Sequence, residues 1–305
     1  MSKAGAAGHD PIPIGEIAAP PFVRLPDPLT LFATRSLRFR TLAETHQLGP
    51  YLLFLAALSE CQHRIQKDLP EPDLPTADAR ARAREHAMPP LDRNRFTADA
   101  AFNATMDRLL PLAASIDMPD TAREALERVR GADATAGDAM VRAVLGDAIP
   151  VETLADHVYV AAALQVHFAR LAARLDANAL VPVGNGVCPA CGGAPVASAI
   201  VGWQGAHGTR FCTCALCATQ WHVVRIKCVL CDSTAGIAYQ ELEGGPDTVK
   251  AETCESCHGY VKILHQHKNP QLEPVADDIA TLGLDLLLRE GGYRRGAVNP
   301  FLLGY

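Results

Sequence analysis

Eight of the chain's ten cysteines fall into two copies of one spacing. Cys188 and Cys191 are followed, after 22 intervening residues, by Cys214 and Cys217, and Cys228 and Cys231 are followed, again after 22, by Cys254 and Cys257. Two thiolates separated by two residues can wrap one face of a soft metal ion, and two such pairs complete the tetrahedral four-sulfur shell that suits zinc or iron. A thioredoxin-like dithiol would stand alone at a strand-to-helix junction, whereas four evenly arrayed pairs among short polar and glycine-bearing segments have the pattern of ligands. Four such knuckles can combine in three ways, one of them interleaved as in cross-braced domains. The repeated 22-residue spacing favours consecutive pairing.

The knuckles differ in local chemistry. In Cys188-Pro189-Ala190-Cys191-Gly192 the proline presets the turn and the glycine can take a positive φ, which lets backbone amides point at the sulfurs. Ala218, Asp232 and His258 stand at the position of Gly192 in the other three, where the same turn costs more. Cys61 and Cys212 lie outside the repeat and read as buried small hydrophobes, although Cys212 is close enough to Cys214 to serve as a spare ligand.

At 305 residues the chain has room for two domains of ordinary size, and the first knuckle begins only at residue 188. A metal-free part therefore precedes a metal-dependent one. The 49% hydrophobic content and formal charge of −6 suggest neither disorder nor a nucleic-acid binder. Residues 188 to 268 hold six Lys or Arg and six Asp or Glu, so a DNA-binding zinc ribbon would lack its basic face. The first 28 residues carry a lone Lys3 and no apolar core of a secretory signal. The longest apolar run, Tyr51 to Leu58, is far short of the roughly 20 residues needed for direct membrane insertion. Cysteines arranged as ligands rather than crosslinks fit a reducing compartment, so the expected location is cytoplasmic.

The pattern predicts an α+β chain. Residues 1–28, rich in Pro, Ala and Gly, read as an irregular arm. Helical spacing over 29–180 predicts an all-helical domain with segments at 29–48, 50–69, 97–115, 119–130, 137–145 and 151–176. The last has one apolar stripe of Leu154, Val158, Ala161, Leu164, Phe168, Leu171 and Leu175. His157 and His167 on that segment read as packing or capping groups. Residues 188–227 and 228–268 are then two small β modules, neither large enough to stand without its metal. A closing helix over 277–290 is expected to start with Asp277 and Asp278 at its positive end and to stop at Gly291-Gly292, leaving an exposed apolar tail to residue 305.

Four stretches, CPACGGAPVAS (188 to 198), RFCTCALCATQWHVVRIKC (210 to 228), AETCESCHGYVKIL (251 to 264) and ADDIATLGLDLLLREGGYRRGAVNPFL (276 to 302), resemble the formate dehydrogenase accessory protein FdhE family, with a weaker echo at 29 to 60. The resemblance implies a helical domain joined to two rubredoxin-like modules. It also implies a cytoplasmic maturation factor that binds the catalytic subunit of a respiratory formate dehydrogenase before its export by the twin-arginine pathway. It gives one metal to Cys188, Cys191, Cys214 and Cys217 and the other to Cys228, Cys231, Cys254 and Cys257, as the spacing also does. Family members are associated with iron, so two mononuclear iron ions are expected, with zinc as the alternative. No serine nucleophile elbow or dinucleotide fingerprint is present, and an enzyme is not expected. Trp221, His222, Arg225, Tyr260 and Lys262 are candidate client contacts, although each reads first as packing between strands or as a solvated charge; a homodimer is left open. A one-electron carrier is the alternative function, and a nucleic-acid-binding ribbon the weakest.

Overall fold

The computed structural model describes residues 20–302. A short strand β1 (Val23–Arg24) precedes seven helices, α1 (Pro28–Ala43), α2 (Gly49–Ile65), α3 (Ala77–Glu85), α4 (Ala100–Ala113), α5 (Asp120–Arg130), α6 (Ala134–Leu145) and α7 (Leu154–Ala173). Six strands follow, β2 (Pro195–Ile200), β3 (Arg210–Cys214), β4 (Gln220–Val223), β5 (Ile237–Gln240), β6 (Val249–Cys254) and β7 (Gly259–Leu264). Two helices, α8 (Pro274–Ala280) and α9 (Leu282–Glu290), and a strand β8 (Arg294–Arg295) close the chain. This is the predicted helical region followed by two cysteine-bearing β modules. Among the described residues no helix is long and apolar enough to cross a membrane.

Local chemistry sets the helix starts. Asp27, Asp99 and Asp133 each accept a backbone N–H two or three residues on, which satisfies a donor that the first turn leaves free. Pro28 and Pro50 sit in first turns, where their missing N–H is harmless. The expected single stripe on α7 is a correction: the helix is buried nearly all round, from Asp156 to Ala172 with Arg170 the exception. Its alanines at 161–163, 169 and 172 let α1, α2, α4, α5 and α6 close around it, so it is the axis of the domain.

His167 on α7 packs edge-on against Phe102 and Phe168 and lies 5.2 Å from the Phe96 ring centre. Burial pulls its pKa down to about 4, against the opposing pull of Asp99. The folded protein therefore binds a proton here less readily than the unfolded chain, and its stability is lost as pH falls from about 6.5 towards 4. The expected cost is about 2 kcal/mol at pH 5 relative to pH 7, from 1.36 kcal/mol per pH unit. Urea unfolding of wild type beside His167→Gln at both pH values checks this, because the variant should lose that part of the pH slope.

The arm expected over residues 1–28 lies outside the described residues as far as residue 19. Beyond it, Val23 pairs with Trp221 and Arg24 with Gln220, so β1 becomes the edge strand of the first metal module. The two modules are not separate beads. All strands belong to one sheet of order β1-β4-β3-β2-β7-β6-β5, with β8 alongside β7, and the junction is a parallel pairing of β2 with β7. Both junction strands are buried on both faces, as strands of parallel character usually are. Across this seam Arg210 of β3, fully buried, donates to Ser198 of β2 and forms a 2.7 Å ion pair with Glu252 of β6.

The closing segment also differs from expectation. The helix begins at Pro274, with Glu273 as its cap, and breaks at Thr281 into α8 and α9. The break has a cause: Thr281 Oγ1 donates to the Asp277 carbonyl, and Lys262 Nζ takes the carbonyls of Asp278 and Thr281. Asp277 falls in the first turn of α8, near its positive end as expected, where it accepts from Glu273 N, and both Asp277 and Asp278 are buried. The tail is likewise not exposed as far as it is described, since Ala297, Phe301 and Leu302 are buried.

Candidate metal centres

Each module is built as knuckle, strand, strand, knuckle, strand. The first knuckles close by the same hydrogen bond, from Cys188 N to the Gly193 carbonyl and from Cys228 N to the Ser233 carbonyl, with Cys214 N to Thr219 repeating it in the second knuckle of the first module. The residue after each second cysteine lies in the left-handed region: Gly192 at φ 77°, Ala218 at 58°, Asp232 at 63° and His258 at 51°. The cost foreseen for the three non-glycine residues is real, because a Cβ crowds the following carbonyl there. His258 is exposed, so His258→Gly should raise stability by about 1 kcal/mol, read as an upward shift in thermal midpoint at constant metal content.

The cysteines gather into two groups of four, 188, 191, 214, 217 and 228, 231, 254, 257, with all four sulfurs of each group within 4.8 Å of one another. The closest pairs are Cys188–Cys217 at 3.6 Å, Cys191–Cys214 at 3.5 Å, Cys228–Cys257 at 3.8 Å and Cys231–Cys254 at 3.7 Å. A tetrahedron of metal–sulfur bonds of about 2.3 Å has edges of about 3.8 Å, whereas a disulfide would bring sulfurs to about 2.05 Å. Each group can thus hold one metal ion. The pairing is consecutive, not interleaved.

The environment supplies what thiolates need. Leu216 N and Cys217 N point at Cys214 Sγ at 3.4 and 3.5 Å. Gly193 leaves room beside it, since a Cβ there would stand 3.0 Å from that sulfur. Burial alone would raise the Cys214 thiol. The three neighbouring sulfurs and the Cys217 amide outweigh it and hold Cys214 well below the usual thiol range. Cys254 is brought to about 7 in the same way, its burial outweighed by the amides of Cys257 and Ser256. Burial pushes Cys188 and Cys191 well up and Cys228 up to about 12, so these sulfurs ionise only beside a cation.

The two groups differ in access. All four sulfur residues of the first are buried and belong to the main hydrophobic core. In the second, Cys231 is exposed and Cys257 half-buried. The first is also tied to the helical region, where Leu91 N and Arg93 N donate to the carbonyls of Ala190 and Cys191, and Gln165 Nε2 donates to Ala215. Cys212, the spare-ligand candidate, is outside both groups, and burial pushes its thiol up to about 12; Cys61 is buried too.

Three of the five candidate contact residues are not at the surface and pack inside the fold, the reading placed first for them. Trp221, Tyr260 and Lys262 are buried, the last two by Asp285 and Asp278, while His222 is half-buried and Arg225 exposed. What sequence reading missed is the charge network around them. Lys262 and Arg295 surround Asp278 and Asp285, Arg38 clasps Asp277 with two bonds, and Arg35 joins Glu273 to Gln165. Gln165 then reaches Ala215 in the second knuckle of the first module, so a buried polar chain runs from one module through α8 to the other. The Arg-Arg spacing on α1 and the ADD run of α8 were the available signals.

The comparisons follow the same division. The family descriptions "FdhE, N-terminal", "FdhE, central domain" and "FdhE, C-terminal domain" match residues 20–185, 187–225 and 226–302. A "Protein FdhE homolog" of Rhizobium meliloti (strain 1021) is 47% identical over 298 residues, covering 97% of each chain. One of Cronobacter sakazakii (strain ATCC BAA-894) is 36% identical over 275 residues, covering 89% of this chain and 88% of its own. The crystal structure of the FdhE protein from Pseudomonas aeruginosa superimposes with a TM-score of 0.82 at 34% identity, over 93% of this chain and 99% of that one. Knuckles, helical region and closing segment all lie within these matches, and the chain belongs to the FdhE family.

Proposed function

We propose that the chain is a non-enzymatic maturation factor, which binds the catalytic subunit of a respiratory formate dehydrogenase in the cytoplasm and assists its assembly before export. The observation that supports this best is the closed form of the cysteine groups within an FdhE-family chain. Four sulfurs use every position of a tetrahedral ion, so a bound metal holds structure and leaves no coordination site for substrate. With iron or zinc bound, the eight cysteines fix four knuckles and, through them, the shape of one continuous sheet. A mainly apolar groove on which a client could dock supports the same reading. With a volume of about 1080 Å³, it lies between α2, α5, α7 and the closing segment, lined by residues such as Leu53, Phe54, Met118, Leu282 and Phe301.

The second cysteine group supports one further reading. Because Cys231 is exposed, an iron ion there would lie close enough to solvent to exchange single electrons with a client. That reading requires a reversible visible spectrum and loss of function on zinc replacement.

An affinity capture from anaerobically grown host cells separates these readings, using wild type beside a Cys188→Ser, Cys228→Ser double variant and a Leu53→Asp variant. Capture of a formate dehydrogenase catalytic subunit by wild type, reduced at least about tenfold by Leu53→Asp and lost in the double variant, is the expected result. No such capture by wild type carrying two metals would overturn the maturation reading and leave electron transfer.

A further inference from the structure

Outside the cysteine groups, three of the eleven histidines meet at the seam between the modules. His265 and His267 follow β7, and His207 lies on the loop between β2 and β3. The seam fixes their backbones. His267 N donates to the Ile200 carbonyl, His265 N to that of Thr248, and Gly202 allows the chain to pass so close that a Cβ there would stand 3.2 Å from His267 Cα. The ring centres of His265 and His267 are 5.4 Å apart and those of His207 and His267 are 6.3 Å apart, with planes inclined at 65° and 74°.

Polar satisfaction is incomplete here. Both ring nitrogens of His265 and Nδ1 of His267 are buried and have no hydrogen-bond partner among the described residues. An imidazole always carries either a lone pair or an N–H at each nitrogen, and leaving such a group buried and unmet costs about 1–3 kcal/mol. Each neutral ring carries one lone pair, so His265 and His267 together offer two to a ligand that accepts them.

We propose that His265 and His267, completed by His207, form a third metal site of a different kind, for a borderline divalent cation of the zinc, nickel or copper class. With metal–nitrogen bonds of about 2.1 Å, two imidazoles on one ion place their ring centres roughly 5 Å apart, which is close to the His265–His267 separation. His207 must approach by about an ångström on the same reckoning. It stands exposed on a turn flanked by Gly205 and Gly208, both at positive φ with open space around them. Burial keeps His265 neutral, with its pKa lowered to about 4, so its lone pair is free at physiological pH. His267, Lys268, Lys250 and Arg225 act in the same direction. The two lysines are themselves paired, with Asp247 at 2.9 Å and Glu241 at 2.6 Å, which leaves Arg225 as the main opposing charge. Ligation by imidazole nitrogen sets this site apart from the four-sulfur groups.

The test is calorimetric titration of Ni²⁺ into protein whose cysteine groups already carry metal, wild type beside His265→Gln/His267→Gln. Wild type should bind one further equivalent and gain thermal midpoint with Ni²⁺; the double variant should show neither while keeping the metal of its cysteines. His207→Gln should weaken the binding without abolishing it. Independently of any variant, paramagnetic Ni²⁺ should broaden the ring resonances of His207, His265 and His267 before those of the other histidines. Absence of a further equivalent, an undiminished one in the double variant, or broadening centred on other histidines would overturn the site.

Discussion

Cys188→Ser is expected to disorder far more of the molecule than Cys228→Ser. The first cysteine group is part of the main core, and its knuckles receive hydrogen bonds from Leu91, Arg93 and Gln165 of the helical region. The second is exposed at Cys231 and half-buried at Cys257, and none of its four cysteines belongs to that core. A structural ion in small zinc domains contributes roughly 10–16 kcal/mol, which is as large as the entire stability of a typical domain. Losing a ligand of the first ion therefore releases the seam and the face of α7 that rests on it. Hydrogen exchange should show lost protection in β2–β4, α1 and α7 for Cys188→Ser. For Cys228→Ser the loss should stay in β5–β7 and α9, with the helical region intact. The same difference in access predicts that a chelator removes metal from the second group first, and metal released in two kinetic phases checks it.

The second large effect is placed at Asp278. Its carboxylate is fully buried between Lys262 at 3.2 Å, Arg295 at 2.5 Å and Asn299 at 2.8 Å. Burial would raise its pKa, but the two cations outweigh it and hold it below the usual carboxylate range. The same two cations meet Asp285, and burial of the Arg295 guanidinium is outweighed by the two carboxylates, which raise its pKa. Asp278→Asn leaves a buried positive charge short of its partner, which costs about 3–5 kcal/mol. Because the folded carboxylate titrates below its unfolded value, this contribution is present at neutral pH and is lost as pH falls through the folded pKa. Urea unfolding should show the loss in Asp278→Asn, and Asp247→Asn, whose pair with Lys268 is exposed, serves as the control with little change.

The ligand groups were legible because cysteine chemistry leaves few alternatives at that spacing, and the helical region because alanine and leucine recur with a helical period. The knuckle turns were read in kind as well, since Ala218, Asp232 and His258 do occupy the strained position that glycine fills once. Contacts distant in sequence were not legible. Lys262 alternates along β7 like a surface lysine, and only the fold brings Asp278 and Asp285 to it from the closing segment. The pairing of β2 with β7 is equally silent, because parallel strands buried on both faces carry no polar alternation to set a register. The split at Thr281 follows from Lys262 as well, since a helix pattern does not show which carbonyls a distant ammonium will take.

X-ray absorption at the metal edge joined to metal quantification tests most directly whether two metal ions are held by the eight sulfurs. Protein purified without added metal and washed with a mild chelator should carry two ions per chain, each with four sulfur neighbours at about 2.3 Å. One ion should remain in Cys228→Ser. Metal-free folded protein, or a first shell of nitrogen and oxygen in place of sulfur, would contradict this assignment.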